Sequence, residues 1–342
     1  MNQKKRLFYI DYYRAIIVLL MIQGHILRAL LSDNLKTGKW FIIHEFIHGA
    51  VAPGFLFLSG FLFYHTIKNK TFVDYINKLY AYTGIIVIGY FLHLPFLSFK
   101  KLSRLWNTDV KNGFLQIDIL QTIGFSLIIS LFAWILFKKH FTVFVFVIIL
   151  FNFYHMFFPF KINNYFFSFF FDNKLSPFPL FPWSIYFFIG VLANRYFKKF
   201  NIKLLIFSGL LLSLQIFFGG VIIERVSDIG KILFLLSITQ YFLNKEYKSL
   251  KPFLRASRES LFLYASHIMI VYGSVLSKGL NYYYHNSLNF SQFLMVFLLI
   301  SLIVYSMAYL INILKHNHSE VFILSKYSLY LVFLYLFFTR NW

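Results

Sequence analysis

The sequence has no cysteine and few acidic residues. Its 342 residues include only 12 Asp and Glu against 33 Lys and Arg, and charged residues make up 13% of the chain. Without cysteine there are no disulfides, thiol nucleophiles or thiolate metal sites. A soluble domain carries about 25% charged residues, so the low charge argues against a soluble protein.

The apolar content is typical of a polytopic membrane protein. Hydrophobic residues make up 59% of the chain and aromatic residues 23%. The formal net charge of +21 would suit a nucleic-acid partner. The basic residues, however, sit in short connectors between apolar runs, which is the pattern that membrane orientation produces. We therefore expect the lipid bilayer as a partner and no nucleic acid.

Eleven apolar runs are long enough to cross the roughly 30 Å hydrocarbon core of a bilayer. They lie at 10–31, 41–65, 79–98, 116–137, 141–158, 180–197, 203–222, 229–244, 260–277, 291–314 and 320–339. The connectors leave no room for a soluble domain. The predicted fold is all-α: a polytopic integral membrane helical bundle of about 11 transmembrane helices, forming one domain over residues 1–342.

The basic residues also predict the orientation, because cytoplasmic segments are enriched in Lys and Arg. With a cytoplasmic N-terminus, nineteen basic residues fall in inner segments and thirteen in outer ones, with Arg14 inside a span. Lys4, Lys5 and Arg6 precede the first run without a small-residue cleavage site, which indicates an uncleaved helix. We expect a multi-pass protein of the inner (cytoplasmic) membrane, with Trp342 outside.

The first apolar run carries a polar stripe formed by Asp11, Arg14, His25 and Arg28. At about 100° per residue, Arg14 and His25 lie only about 20° apart around the helix, and the other two fall within about 60° of that line. Ionisable groups in a membrane face a protein interior or a wet cavity. The stripe is therefore expected to line a site. The alternative is that Arg14 pairs with Asp11 and His25 bonds a neighbouring helix.

The second run begins with the sequence HEFIH at 44–48. On a helix, His44 and His48 share a face and could bind zinc with Glu45 as a base. No later span offers a recognisable third ligand, and the segment follows Trp40, where interfacial polar residues cost little. Three interpretations therefore stay open: a zinc site, the lining of an acceptor site, and simple interfacial solvation.

Other candidate residues have weaker signals. Ser59 and Gly60 form a small pair among bulky residues, which indicates close helix packing or room for a cofactor. Asp118 and Gln121 stand at the start of a span, where they would hold a sugar hydroxyl, orient a histidine or cap the helix. Arg195 ends a span among lysines, as a cofactor contact or a cytosolic anchor.

A further polar stripe runs along the ninth span. Ser260, Tyr264 and His267 follow i, i+4, i+7 spacing, which places them on one helix face. His267 either lines a site or is a satisfied histidine between helices.

Five segments occur in an order that resembles transmembrane acyltransferases: DYYRAIIVLLMIQGH, APGFLFLSGFLFY, LQIDILQTIGFSL, FPLFPWSIYFFIGVLANR and SRESLFLYASHIMIVYG. The set is most similar to the heparan-alpha-glucosaminide N-acetyltransferase catalytic-domain group and its YeiB-like relatives. The spacing of Arg14 and His25 and the Ser-Gly-Phe element also occur in acyltransferase family 3. One departure is Ala15, where such families usually have Gly.

The resemblance implies transfer of an acyl group from cytosolic acyl-CoA, with acetyl-CoA expected, to a sugar hydroxyl or amine of a cell-envelope glycan or glycolipid at the outer side. A neutral histidine suits the proton transfer, and arginine suits the coenzyme A phosphates. His25 is the leading base or transient acyl carrier, with Arg14 holding coenzyme A. The full catalytic set is His25, His44, His48 and Asp118. The cofactor-binding set is Arg14, Asp11, Ser59, Gly60 and Arg195. No metal is expected, and a homo-oligomer stays open.

Two other classes of function compete with this interpretation. A transporter of a small solute or lipid would use the same polar stripe as a path, but transporters often show inverted repeats and paired broken helices, and the sequence shows none. A zinc-dependent intramembrane protease would use His44, Glu45 and His48.

Overall fold

The computed structural model describes residues 7–68, 70–197, 199–245 and 247–340. Lys4, Lys5, Arg6 and Trp342, on which the predicted orientation partly depends, lie outside these residues, as does Lys198. Within them the chain is helical and has no β-strand. Its helices are α1 (Phe8–Leu30), α2 (Gly38–His48), α3 (Val51–Ile67), α4 (Phe72–Leu92), α5 (Phe99–Arg104), α6 (Thr108–Leu115), α7 (Ile119–Leu136), α8 (Phe141–Phe157), α9 (Tyr165–Ser168), α10 (Leu180–Tyr196), α11 (Ile202–Phe217), α12 (Val221–Phe242), α13 (Lys251–Ser257), α14 (Ser260–Tyr272), α15 (Leu280–Tyr284), α16 (Phe290–Asn317) and α17 (Ser319–Thr339).

Each of the eleven predicted runs overlaps a helix, but several boundaries were wrong. The helix of the eighth run, for example, begins at Val221 rather than at 229, and that of the third begins at Phe72 rather than at 79. The second run is interrupted at 49–50, because Pro53 has no N–H to bond the Gly49 carbonyl and its ring crowds that group. The third run ends at Leu92 rather than at 98, since Pro95 disfavours helical conformation in the residue before it. The ninth ends at Tyr272 rather than at 277, where Gly273 has a φ of 95°.

Five helical segments are long and apolar enough to cross a membrane by length and composition: Phe8–Leu30, Gly38–Ile67, Ile119–Leu136, Phe290–Asn317 and Ser319–Thr339. Three shorter apolar helices are Phe141–Phe157, Ile202–Phe217 and Ser260–Tyr272. These segments fit a membrane protein. The count of eleven crossings and the single domain over 1–342 stay predictions.

The chain divides into two compact units. The first contains Met1–His48, Leu92–Phe114 and Lys245–Trp342. Its central element is α1, most of which is buried and which packs against α2, α13, α14, α15 and α16. Along the polar stripe of α1, Asp11 is buried, Arg14 and His25 are half-buried, and Arg28 is exposed.

The second unit contains Gly49–Phe91 and Leu115–Asn244, and α10 is its central helix. Helices α3 and α10 cross at two glycines. A Cβ on Gly60 would overlap the Phe187 carbonyl, and a Cβ on Gly190 would overlap the Phe57 carbonyl. Small residues allow helices to approach this closely in membranes. The prediction that Gly60 serves helix packing is confirmed.

Candidate functional site

A cluster of histidines gathers at the C-terminal end of α1. Helix α2 lies so close to α1 that a Cβ on Gly24 would overlap the imidazole of His48. His48 is buried, and its ring stacks on that of His44, with 5.6 Å between the ring centroids. Gly24 is thus the residue of α1 that makes room for a histidine of α2.

A hydrogen-bonded chain fixes α2 against α1 at this end. Arg28 donates to both carboxylate oxygens of Glu45, at 3.3 and 2.6 Å. Bidentate pairs of this kind fix orientation as well as adding energy. A carboxylate only accepts hydrogen bonds, so the 3.1 Å contact makes Nδ1 of His44 the donor to Glu45. Nε2 of His44 meets the amide of Gln23 at 2.9 Å.

His25 points to a different helix, α14. Its ring centroid lies 5.2 Å from that of His267 and 5.7 Å from that of Tyr272. Nδ1 of His25 is 3.4 Å from the Tyr272 hydroxyl, which donates to the His25 carbonyl at 3.4 Å. A hydroxyl that donates to the carbonyl accepts from Nδ1, so Nε2 is the basic nitrogen of a neutral His25.

Two buried imidazole nitrogens in this cluster have no hydrogen-bond partner among the described residues: Nε2 of His48 and Nε2 of His267. His267 is fully buried and donates from Nδ1 to the Leu263 carbonyl at 2.6 Å, so its Nε2 is the proton-accepting nitrogen. Buried polar atoms normally find partners. Of the two, only His267 has a ring that contacts that of His25.

The opposite end of α1 carries a separate charged cluster. Asp11 forms ion pairs with Arg14 at 3.7 Å and with Arg258 at 3.3 Å. The local pair of Arg14 and Asp11 that the spacing allowed is therefore present. Asp11 is thus shared between a guanidinium group of its own helix and one that lies 247 residues later in the chain. The two clusters lie at opposite ends of α1, as the sequence predicts.

The hydrogen bonds made by the HEFIH segment differ from the arrangement of a metal centre. Both ring nitrogens of His44 contact other side chains, those of Glu45 and Gln23. No group of three or more His, Cys, Asp or Glu side chains placed to hold a metal occurs in the described part of the chain. That the protein works without zinc stays a prediction.

The remaining predicted site residues belong to the second unit. Asp118 caps α7 by accepting from the Ile119 amide at 2.7 Å, and the Ser59 hydroxyl donates to the Phe55 carbonyl at 2.8 Å. Arg195 donates to the hydroxyls of Tyr64 and Thr142. Arg195 also lines a cavity of about 700 Å³, together with Tyr196, Phe197, Lys199, Phe200, Asn201 and Ile202.

The sequence interpretation missed two members of the histidine cluster. Gln23 could have been predicted from the sequence, since it is a polar residue in an apolar run, directly before Gly24. Tyr272 could not have been predicted in this way. The chain has 24 tyrosines, so a single one carries little information. Arg28 was assigned to the stripe, but its pairing with Glu45 was not predicted.

Comparison with known proteins identifies the family. Residues 6–220 match the family described as heparan-alpha-glucosaminide N-acetyltransferase, catalytic. No curated protein and no solved structure matches the chain. The matched stretch includes α1 and α2 with His25, His44 and His48, whereas His267, Tyr272 and Arg258 lie beyond it. The match covers more than half of the chain, and the protein therefore belongs to the heparan-alpha-glucosaminide N-acetyltransferase catalytic family.

Proposed function

We propose that this protein is a membrane acetyltransferase that moves an acetyl group from acetyl-CoA to a hydroxyl or amine of a cell-envelope glycan or glycolipid. The observation that supports this most is that His25, His44 and His48 lie at one end of α1, with Arg14 and Arg258 around Asp11 at the other end. The acetyl transfer follows from family membership. The histidines suit the proton transfer from the acceptor, and the arginines suit the phosphates of coenzyme A.

In this proposal His25 is the general base. Its Nε2 accepts the proton of the acceptor hydroxyl or amine as that atom attacks the thioester carbonyl. When the tetrahedral intermediate collapses, the C–S bond breaks and the coenzyme A thiolate takes the proton back from the imidazolium. An imidazole suits both transfers because it can accept and return a proton at neutral pH. His44 and His48, on the neighbouring helix α2, are the alternative bases.

Arg14 is proposed to hold the phosphates of coenzyme A. The guanidinium groups of Arg14 and Arg258 both pair with Asp11, and the planar donor fork of arginine matches the geometry of a phosphate. The eleven residues from Arg14 to His25 span about 16 Å of helix, comparable with the reach of a pantetheine arm. The nucleotide end and the thioester end of one acetyl-CoA molecule then meet opposite ends of α1.

The topology follows the predicted eleven spans in the inner membrane, with acetyl-CoA entering from the cytosol and the acceptor from the outer side. Cofactor contacts by Ser59, Gly60 and Arg195, and a catalytic role for Asp118, stay predictions. The contacts of Ser59, Gly60 and Asp118 with their own helices and packing partners account for these residues structurally.

The test is acetyl transfer by the detergent-purified protein. Radiolabelled acetyl-CoA is offered with a soluble glucosaminide, which has an amine, and with the matching glucoside, which has only hydroxyls. We expect transfer to at least one of them, unaffected by a zinc chelator, and no tightly bound zinc. One zinc per chain together with loss of activity on chelation would contradict the proposal and favour a metalloenzyme.

A further inference from the structure

Helix α14 brings a second histidine against the candidate base. The ring centroid of His267 lies 5.2 Å from that of His25, with an angle of 51° between the ring planes. Both residues belong to the first unit, and the side chain of His267 is completely buried. His267 lies beyond residues 6–220, the stretch that matches the family. The contact therefore joins His25 to a group whose role does not follow from the family match.

The hydrogen bonds of His267 determine which of its ring nitrogens carries the proton. Nδ1 donates to the Leu263 carbonyl at 2.6 Å, because a carbonyl oxygen only accepts. A neutral His267 then has an unprotonated Nε2, and this atom is buried without a partner in the part of the chain that the structure describes. An apolar side chain of similar size would avoid the cost of burying an unpaired acceptor. Packing therefore accounts for the bond at Nδ1 but not for the acceptor at Nε2.

The tautomer of His25 explains why the Nε2 atoms of the two histidines are not bonded to each other. In neutral His25 the donor is Nδ1, beside the Tyr272 hydroxyl, so Nε2 is an acceptor, and two acceptors cannot bond each other. Protonation of His25 at Nε2 creates a donor. Two imidazole rings at this centroid separation can place facing nitrogens roughly 3 Å apart, which is the length of a hydrogen bond.

We infer that His267 is a positioning residue for acetyl transfer that accepts a hydrogen bond at Nε2 from protonated His25, an inference that rests on the proposed function. The proton of the acceptor moves to Nε2 of His25 as the acceptor attacks the thioester. The imidazolium donates to Nε2 of His267 until the C–S bond breaks and the thiolate takes the proton. His267 neither gains nor loses a proton. A bond that exists only while His25 is protonated accelerates the chemical step rather than substrate binding.

A purely structural role of His267 is the competing explanation, and two substitutions separate it from the inference. Asparagine can keep a donor to the Leu263 carbonyl but has no acceptor at the position of Nε2. Glutamine is longer and can place its amide oxygen near that position, but it loses the donor at Nδ1. A structural role therefore predicts that His267→Asn is the milder change, whereas the inference predicts that His267→Gln is milder.

The experiment measures single-turnover transfer from radiolabelled acetyl-CoA to the soluble glucosaminide or glucoside by the detergent-purified protein. His267→Asn should slow turnover about 10- to 100-fold, the range expected for loss of a hydrogen bond to a charged group, and His267→Gln should retain most of it. The affinity for acetyl-CoA and the acceptor KM should be the same in both. Ser266→Ala is the matched control and should leave turnover unchanged, since Ser266 donates to the same Leu263 carbonyl at 3.4 Å.

NMR of protein labelled with ¹⁵N at histidine gives a readout that needs no turnover. At low pH, where His25 is protonated, a hydrogen-bonded imidazole N–H should appear far downfield in the unchanged protein and in His267→Gln. The same signal should be absent in His267→Asn and in His25→Ala. This result supports the histidine pair even if no acetyl transfer is found. Absence of the signal in the unchanged protein, equal turnover in the two His267 variants, or a milder effect of His267→Asn would overturn the inference.

Discussion

Arg14 and His25 share one helix but should contribute to different steps. Arg14→Ala removes a charge-assisted contact to a phosphate, a bond worth about 1.5–3 kcal/mol, so the affinity for coenzyme A should fall by roughly ten- to a hundredfold. His25→Ala should leave that affinity nearly unchanged. Turnover should instead fall by about 10²–10⁴, the usual contribution of a positioned acid or base. Calorimetry and single-turnover transfer measure the two effects.

Folding of both variants must be checked, since Arg14 also pairs with Asp11. Arg14→Lys is the matched control: it keeps the charge and should recover part of the affinity. If His25→Ala weakens coenzyme A binding as much as Arg14→Ala while acetyl transfer persists, His25 is not the base. His44 or His48 then takes that role.

At the scale of residues, the sequence predicts which side chains of α1 matter but not their partners. The spacing of Asp11, Arg14, His25 and Arg28 defines a stripe because helical geometry alone sets it. The contacts of Arg258 and Tyr272 with α1 could not be predicted from helical spacing, since each residue lies 247 positions from its partner on α1. Local periodicity contains no information about contacts at that separation.

At the scale of helices, the crossing of α3 and α10 depends on Gly60 and Gly190, which have no side chain at the point of contact. Gly60→Ala should destabilise the protein by about 1–3 kcal/mol, the usual cost of overpacking, because the added Cβ meets the Phe187 carbonyl. Gly209→Ala in α11 is the matched control, since nothing lies within 4 Å of a Cβ there. Thermal unfolding in detergent measures both, and equal melting temperatures would contradict the packing argument.

The helices themselves were predictable because long apolar runs must bond their backbone internally in a membrane. The ends of the helices were less predictable. The interruption at 49–50 lies inside the second predicted run, and the effect of Pro53 on the residue four positions earlier accounts for it. Short helices such as α13 and α15 lie in connectors, where no apolar period indicates them.

At the scale of the whole molecule, orientation is the property that decides which substrate meets which end of α1. With nineteen basic residues in inner segments against thirteen in outer ones, a reporter fused after Trp342 should be active only outside the cytoplasm. A reporter fused within the connector at 138–140 is the matched control and should be active only inside. Cytoplasmic activity of the first fusion would mean that the count of spans is wrong by one.

The long separation between the stripe of α1 and its partners also has a consequence for biosynthesis. At about 5–20 residues per second, the ribosome needs roughly 12–50 s to make the 247 residues between Asp11 and Arg258. If α1 inserts as it is made, it does so without α14. The ion pair of Asp11 with Arg14, three residues apart, and that of Arg28 with Glu45, 17 residues apart, need no later segment. These early pairs neutralise charge on the nascent helix until α13 and α14 emerge to complete the site.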